Sequence, residues 1–151
     1  MAEEQQQMTF NVEKLYVRDL SVEVPNAPSV FLEQTQPQIE VQLNTQSNAL
    51  SADVYETRIT VTITAKVEEK NLFLVECTQA GIFRVMGVPE EQMPMVLGIG
   101  CPNIVFPYLR ETVSDVVIRA GFPPLLLNPV NFEAMFMQQQ AQQQQAGHST
   151  H

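Results

Sequence analysis

The sequence is short of histidine, cysteine and basic residues, and each scarcity removes a class of function. Its two histidines, His148 and His151, stand in a Gln-rich end where nothing would hold a general base within about 3 Å of a substrate proton. Two histidines alone also leave a metal site short of ligands. The two cysteines, Cys77 in a strand pattern and Cys101 before a proline, have no histidine nearby in sequence, so neither reads as a nucleophile. With 8 Lys and Arg against 17 Asp and Glu, the formal charge is −9, which argues against nucleic acid because phosphate binding needs clustered cations. No apolar run approaches the roughly 18 residues of a membrane span, so direct membrane insertion is not expected. Gly98-Ile99-Gly100 is a lone G-x-G with no Lys-Ser/Thr after it, and no nucleotide or other cofactor is implied. The N-terminal Met1 to Gln7 has neither the basic start nor the apolar stretch of a signal peptide, so the chain is expected in the cytoplasm with both thiols reduced.

What is present suits one domain with its own core: 151 residues, 44% of them hydrophobic. Residues 1–9 and 138–151 read as mobile tails around a single domain at 10–137. Gln138 to Gln145 has helix propensity but no apolar face, so it can extend a preceding helix without being fixed by packing. From Phe10 to Val24 the apolar residues fall at 10, 12, then 15, 17, then 20, 22, 24. That double change of parity predicts a bulge, or a strand covered on different faces along its length. Pro25-Asn26-Ala27-Pro28 ends it. Ile39, Val41 and Leu43 alternate with polar residues in a short second strand, and Asn44 to Ser51 reads as a turn. Tyr55, Thr57, Ile59, Val61, Ile63, Ala65 and Val67 then share one face of a third strand, and Leu72 to Gln79 forms a fourth.

Beyond Pro89 the period changes. A short helix is expected from Glu90 or Glu91 to Leu97. Val105, Leu109, Val113, Val116, Val117 and Ala120 define the apolar face of a longer one that stops at Gly121. A last helix should start near Asn131 as N-cap and carry Met135 and Phe136 inward. The fold class is α+β: a four-stranded antiparallel meander with two to three helices packed on one face.

Paired carboxylates (Glu68-Glu69, Glu90-Glu91) flank a turn or open a helix. A carboxylate-dependent enzyme or a small-ligand-binding protein on an α+β fold is therefore the alternative reading from the residues. The more distinctive feature is large apolar side chains in proline-bounded loops, namely Phe31 and Leu32 in one and Phe122, Leu125, Leu126 and Leu127 in another. They either seal the core or line an apolar groove.

At Cys101-Pro102-Asn103-Ile104-Val105-Phe106-Pro107-Tyr108-Leu109-Arg110 the chain closely resembles the signature of the SecB family of protein-export chaperones. The likeness continues in order through Pro25-Asn26-Ala27-Pro28 with Val30-Phe31, Asp53-Val54-Tyr55-Glu56, Phe122-Pro123, Pro129-Val130-Asn131-Phe132 and Phe136. It spans Met8 to Met137. Ala80, where many members have the first of two glycines, and Thr35, where some carry a tryptophan, are departures.

The resemblance implies an ATP-independent holding chaperone, not an enzyme, that binds unfolded precursor proteins and delivers them to the translocase ATPase SecA. It also implies a homotetramer built as a dimer of dimers, with helices lying between the sheets. Carried over residue by residue, it gives an acidic docking surface for SecA at Asp19, Glu23, Leu74 and Glu76. Asp19 and Glu23 are four apart, so in a regular strand they point the same way. It gives apolar client-binding grooves at Phe31, Ile39, Val41, Leu43, Phe136 and Met137.

Overall fold

The computed structural model describes residues 7–148. Four long strands, β1 (Thr9–Glu23), β2 (Gln38–Ser51), β3 (Val54–Val67) and β4 (Lys70–Met86), form one antiparallel sheet in the order β1-β4-β3-β2. The expected meander therefore holds for β2, β3 and β4 only. β1 pairs with β4 and forms the opposite edge, a Greek-key arrangement. The reason lies in the connection from Pro25 to Pro37, too long for a hairpin. It makes a 3-10 turn at Ser29–Leu32, buries Val30, and is tied to the start of β4 by the Asn26 side chain, which donates to the Asn71 carbonyl at 2.9 Å.

Two strands run further than composition suggested. The polar stretch Asn44 to Ser51, read above as a turn, continues β2 in unbroken pairing to Ala49, and β4 extends past Gln79 to Met86. Ser47 shows how a polar residue is accommodated there, since its hydroxyl lies 2.7 Å from that of Thr57 and donates to the Leu97 carbonyl at 3.2 Å. In β1 the two parity changes are two register shifts, between Val12 and Lys14 and between Val17 and Asp19.

Alternate residues of β3 and β4 face inward, where Ile59, Val61, Ile63, Val75, Cys77 and Phe83 are each no more than 1% exposed. A mixed segment covers the approach to this face: a 3-10 turn at Glu90–Gln92, α1 (Met93–Met95) and a π-helical turn at Val96–Gly100. It replaces the single short helix expected from Glu90 and runs straight into α2 (Cys101–Arg119). Val105, Leu109, Val113, Val116 and Val117 lay the buried stripe of α2 on the sheet. Thr112 also donates to the buried Gln79 side chain at 3.1 Å, so a polar group within this layer is partnered. Gly121, at φ +99°, ends the helix in a backbone conformation that favours glycine.

Asn131 caps α3 (Phe132–His148) as expected, its Oδ1 accepting from the Ala134 backbone N–H at 2.9 Å. α3 joins the helical layer through Phe132, whose ring meets Phe106 at 5.8 Å, and through Phe136. A Cβ at Gly98 would lie 2.6 Å from the Phe136 ring, so glycine in the π-helical turn makes that close approach feasible. β1 begins inside the segment 1–9 and α3 continues through the Gln tract. Residues 1–6 and 149–151, and with them His151, lie outside the described residues.

Both cysteines are buried and free, and burial pushes each thiol up to about 11. At pH 8 neither should react with an aromatic disulfide reagent in the native protein, whereas denaturant should release two reactive thiols. The folded value exceeds the ordinary 9.0, so the protonated thiols favour the fold below pH 9, and that contribution is lost as pH rises from about 9 to about 11. Prompt labelling of either cysteine in the native state would contradict this burial.

Candidate functional site

The two faces of the sheet have opposite chemistry. On the outer face, away from α2, the β1–β4 register sets Asp19 opposite Thr78, Ser21 opposite Glu76 and Glu23 opposite Leu74. Paired residues on antiparallel strands share a face. The four positions assigned to an acidic docking surface from sequence are thus neighbours on adjacent strands. Asp19, Glu23 and Glu76 are exposed and Leu74 half-buried, and a hollow of about 200 Å³ opens among Ser21, Glu23, Thr62, Leu74 and Glu76. Thr62 donates to Glu76 at 3.4 Å, a long bond that leaves the carboxylate available to solvent.

Asp19 reaches this face only because of the second register shift. Val17 pairs with the inward Gln79, and a regular strand would return Asp19 to the same inward side two residues later. Arg18 is the extra residue that prevents it. The four-residue spacing of Asp19 and Glu23 was legible as a shared direction, but which face they share is set by this bulge.

The inner face carries an apolar groove. β2 is an edge strand, and Ile39, Val41 and Leu43 pair with Ala65, Ile63 and Val61, so they point to the helical side. α2 does not reach far enough to cover them. The α2–α3 connection crosses there instead, leaving a groove of about 410 Å³ between Ile39, Val41 and Leu43 and the segment Leu125 to Val130, with Phe106 among its lining residues. Ile39 remains 39% and Val41 47% exposed, more than a sealed core would allow. A second lobe of about 490 Å³ shares Ile39 and Leu125 and is lined by Phe31, Phe73, Phe122, Pro123 and Pro124. Phe31, Phe122 and Phe73 pack in succession with tilted rings, centroids 5.2 and 4.8 Å apart. Gly121 lets Phe31 approach, since a Cβ there would meet its ring at 2.8 Å.

Four of the six apolar positions inferred from sequence, Phe31, Ile39, Val41 and Leu43, therefore converge. Phe136 and Met137 do not join them: Phe136 borders a separate hollow of about 240 Å³ beside Thr45, Pro94 and Leu97, and Met137 is 60% exposed. Phe122 and Leu125 to Leu127 are expected from sequence either to seal the core or to line a groove. They divide, for Leu127 is 7% exposed and Leu126 73%. Phe106 and Phe73 were missed as lining residues because they occupy ordinary core positions of a helix and a strand.

Among the described residues no group of three or more His, Cys, Asp or Glu side chains could hold a metal ion, and no helix is long and apolar enough to cross a membrane. An antiparallel sheet with an acidic patch where β1 and β4 meet on its outer face, and an apolar groove beside an edge strand, describes a binding protein. The comparisons with known proteins agree. The family model "Preprotein translocase subunit SecB" matches residues 3–143. A protein-export protein SecB from Thiobacillus denitrificans is 76% identical over 143 residues, covering 94% of each chain. One from Dechloromonas aromatica is 60% identical, covering 96% of this chain and 94% of the other. A SecB-like chaperone from Mycobacterium tuberculosis, solved in complex with a peptide from an antitoxin, superposes with a TM-score of 0.65 at 17% identity over 80% of this chain and 90% of the other, which shows the shared fold. The chain belongs to the SecB family of protein-export chaperones.

Proposed function

We propose that the chain is an ATP-independent holding chaperone of the cytoplasm that keeps unfolded precursor proteins in the groove beside β2 and passes them to SecA, docked on the acidic patch of the outer face. The observation that carries this reading is the separation of the two surfaces on opposite faces of one sheet, so client and ATPase can be bound at once. Apolar burial at about 25 cal/mol per Å² drives client binding, and ordering the client opposes it by roughly 2–5 kcal/mol or more. Several groove contacts must act together, which favours long unfolded segments. The exposed carboxylates supply steering and register for a basic partner, at an affinity that falls with salt.

The same reading includes a homotetramer, a dimer of dimers. On the inner side of β1, Phe10, Val12, Val17, Leu20 and Val22 are each 38–44% exposed, an apolar stripe that assembly would cover.

The test is to dilute a denatured, slowly folding precursor into the protein without nucleotide and follow recovery of the native client. Arrest that saturates near one tetramer per client is expected, with no turnover. Asp19→Lys or Glu76→Lys should weaken SecA binding by about tenfold or more at low salt and leave arrest intact. Equal loss of both activities would mean that the carboxylates support the fold instead.

A further inference from the structure

Glu56 enters the sequence only as the last residue of the stretch Asp53-Val54-Tyr55-Glu56, yet it is a charged residue only 5% exposed. It is a carboxylate that three groups of the outer face share. The Tyr16 hydroxyl donates to its Oε2, Arg18 Nη1 lies 2.8 Å from both of its oxygens, and Arg58 Nε stands 3.6 Å from Oε1. Tyr16 and Arg18 reach it from β1 across the whole width of β4, over Ala80, which pairs with Tyr16 on one side and Arg58 on the other.

Tyr16 and Arg18 flank Val17, and Arg18 is the extra residue of the second bulge. Both ends of the irregular segment are thus fastened to one buried anion on the strand beyond. A bulge that lost its fastening could close by one residue, and a one-residue slip turns every following side chain to the other face. Asp19 and Glu23 would then leave the outer face, and Leu20 and Val22 would replace them. We propose that Glu56 is a positioning residue for the translocase ATPase: by holding Tyr16 and Arg18 together it maintains the bulge that presents Asp19 and Glu23 on the docking surface. This rests on the reading of that surface as the SecA site.

The experiment is a double-mutant cycle on the full-length assembly, reading affinity for purified SecA. Asp19→Ala measures the docking residue. Glu56→Ala removes the anion, and Arg18→Gln, at a side chain 46% exposed, releases the same fastening with less risk to folding. Asp19→Ala is expected to lower affinity about tenfold, the scale of one lost charged contact, and Glu56→Ala and Arg18→Gln by at least as much, because a closed bulge withdraws Asp19 and Glu23 together, while client arrest by the groove beside β2 stays as in the unmodified protein. The double variant Arg18→Gln/Asp19→Ala should bind no more weakly than Arg18→Gln alone, because loss of the bulge already withdraws Asp19. Losses that multiply, or unchanged affinity with Arg18→Gln, would overturn the role of Glu56 while leaving Asp19 in place. No loss with Asp19→Ala would overturn the docking reading and the positioning role with it.

Discussion

Leu109→Ala is expected to lower the free energy of unfolding by about 3–5 kcal/mol, measured by urea titration at fixed protein concentration. Leu109 is fully buried at the centre of the α2 stripe, flanked by Val105 and Val113, which are likewise 0% exposed. Truncation removes the transfer energy of its methyl groups and leaves a cavity that the sheet, fixed by its hydrogen-bond ladder, cannot collapse to fill. A loss of this size is a third or more of the stability of a typical domain. Leu109→Met, which conserves volume, should cost less than about 1.5 kcal/mol. Comparable losses from both would mean that shape, not burial, governs the site.

Placing a charge in the groove should have the second large effect, on function and not on folding. Val41→Asp puts a carboxylate on the groove floor at a side chain already 47% exposed, so an uncomplexed protein can hydrate it. A bound client cannot, and desolvating an unpartnered ionised group against apolar side chains costs enough to weaken client affinity by about tenfold to a hundredfold. Met137→Asp is the informative companion. Met137 was grouped with Val41 by resemblance, but it lies on α3 away from the groove lining, so client arrest should be unchanged by its replacement. If Met137→Asp abolishes arrest and Val41→Asp does not, clients lie along α3 instead.

The parts legible in the sequence are those where one local rule acts alone. The alternation of β3 survives because each inward residue meets the core, the parity changes of β1 appear as bulges, and Asn131 caps its helix. The second half of β2 was hidden because Asn44, Gln46 and Asn48 have turn composition; pairing with β3 overrides that preference in a strand whose side chains need not all be buried. The partner of β1 was invisible for a different reason. Strand order is a property of where a connection goes, and Pro25 to Pro37 records its length but not its destination. Burial of Glu56 had no local signal either, since its ligands Tyr16 and Arg18 stand 40 and 38 residues away. The groove was half legible. Its β2 floor alternates, but its other wall, Leu125 to Val130, has the composition of a core plug.

The attachment of α3 also divides the molecule into regions of different tolerance to substitution. After Phe136 rests on Gly98 the helix runs twelve residues further to His148, about 18 Å at 1.5 Å per residue, through a tract dominated by glutamine and alanine. From Gln138 to Gln144 the side chains are exposed, so exchange of one helix-forming polar residue for another removes no buried contact, and gain or loss of a turn shortens a rod without moving the sheet. Mutational drift is therefore cheap beyond Phe136 and expensive before it. The Gln tract is free to vary, while a side chain at Gly98 is admitted only if Phe136 gives way.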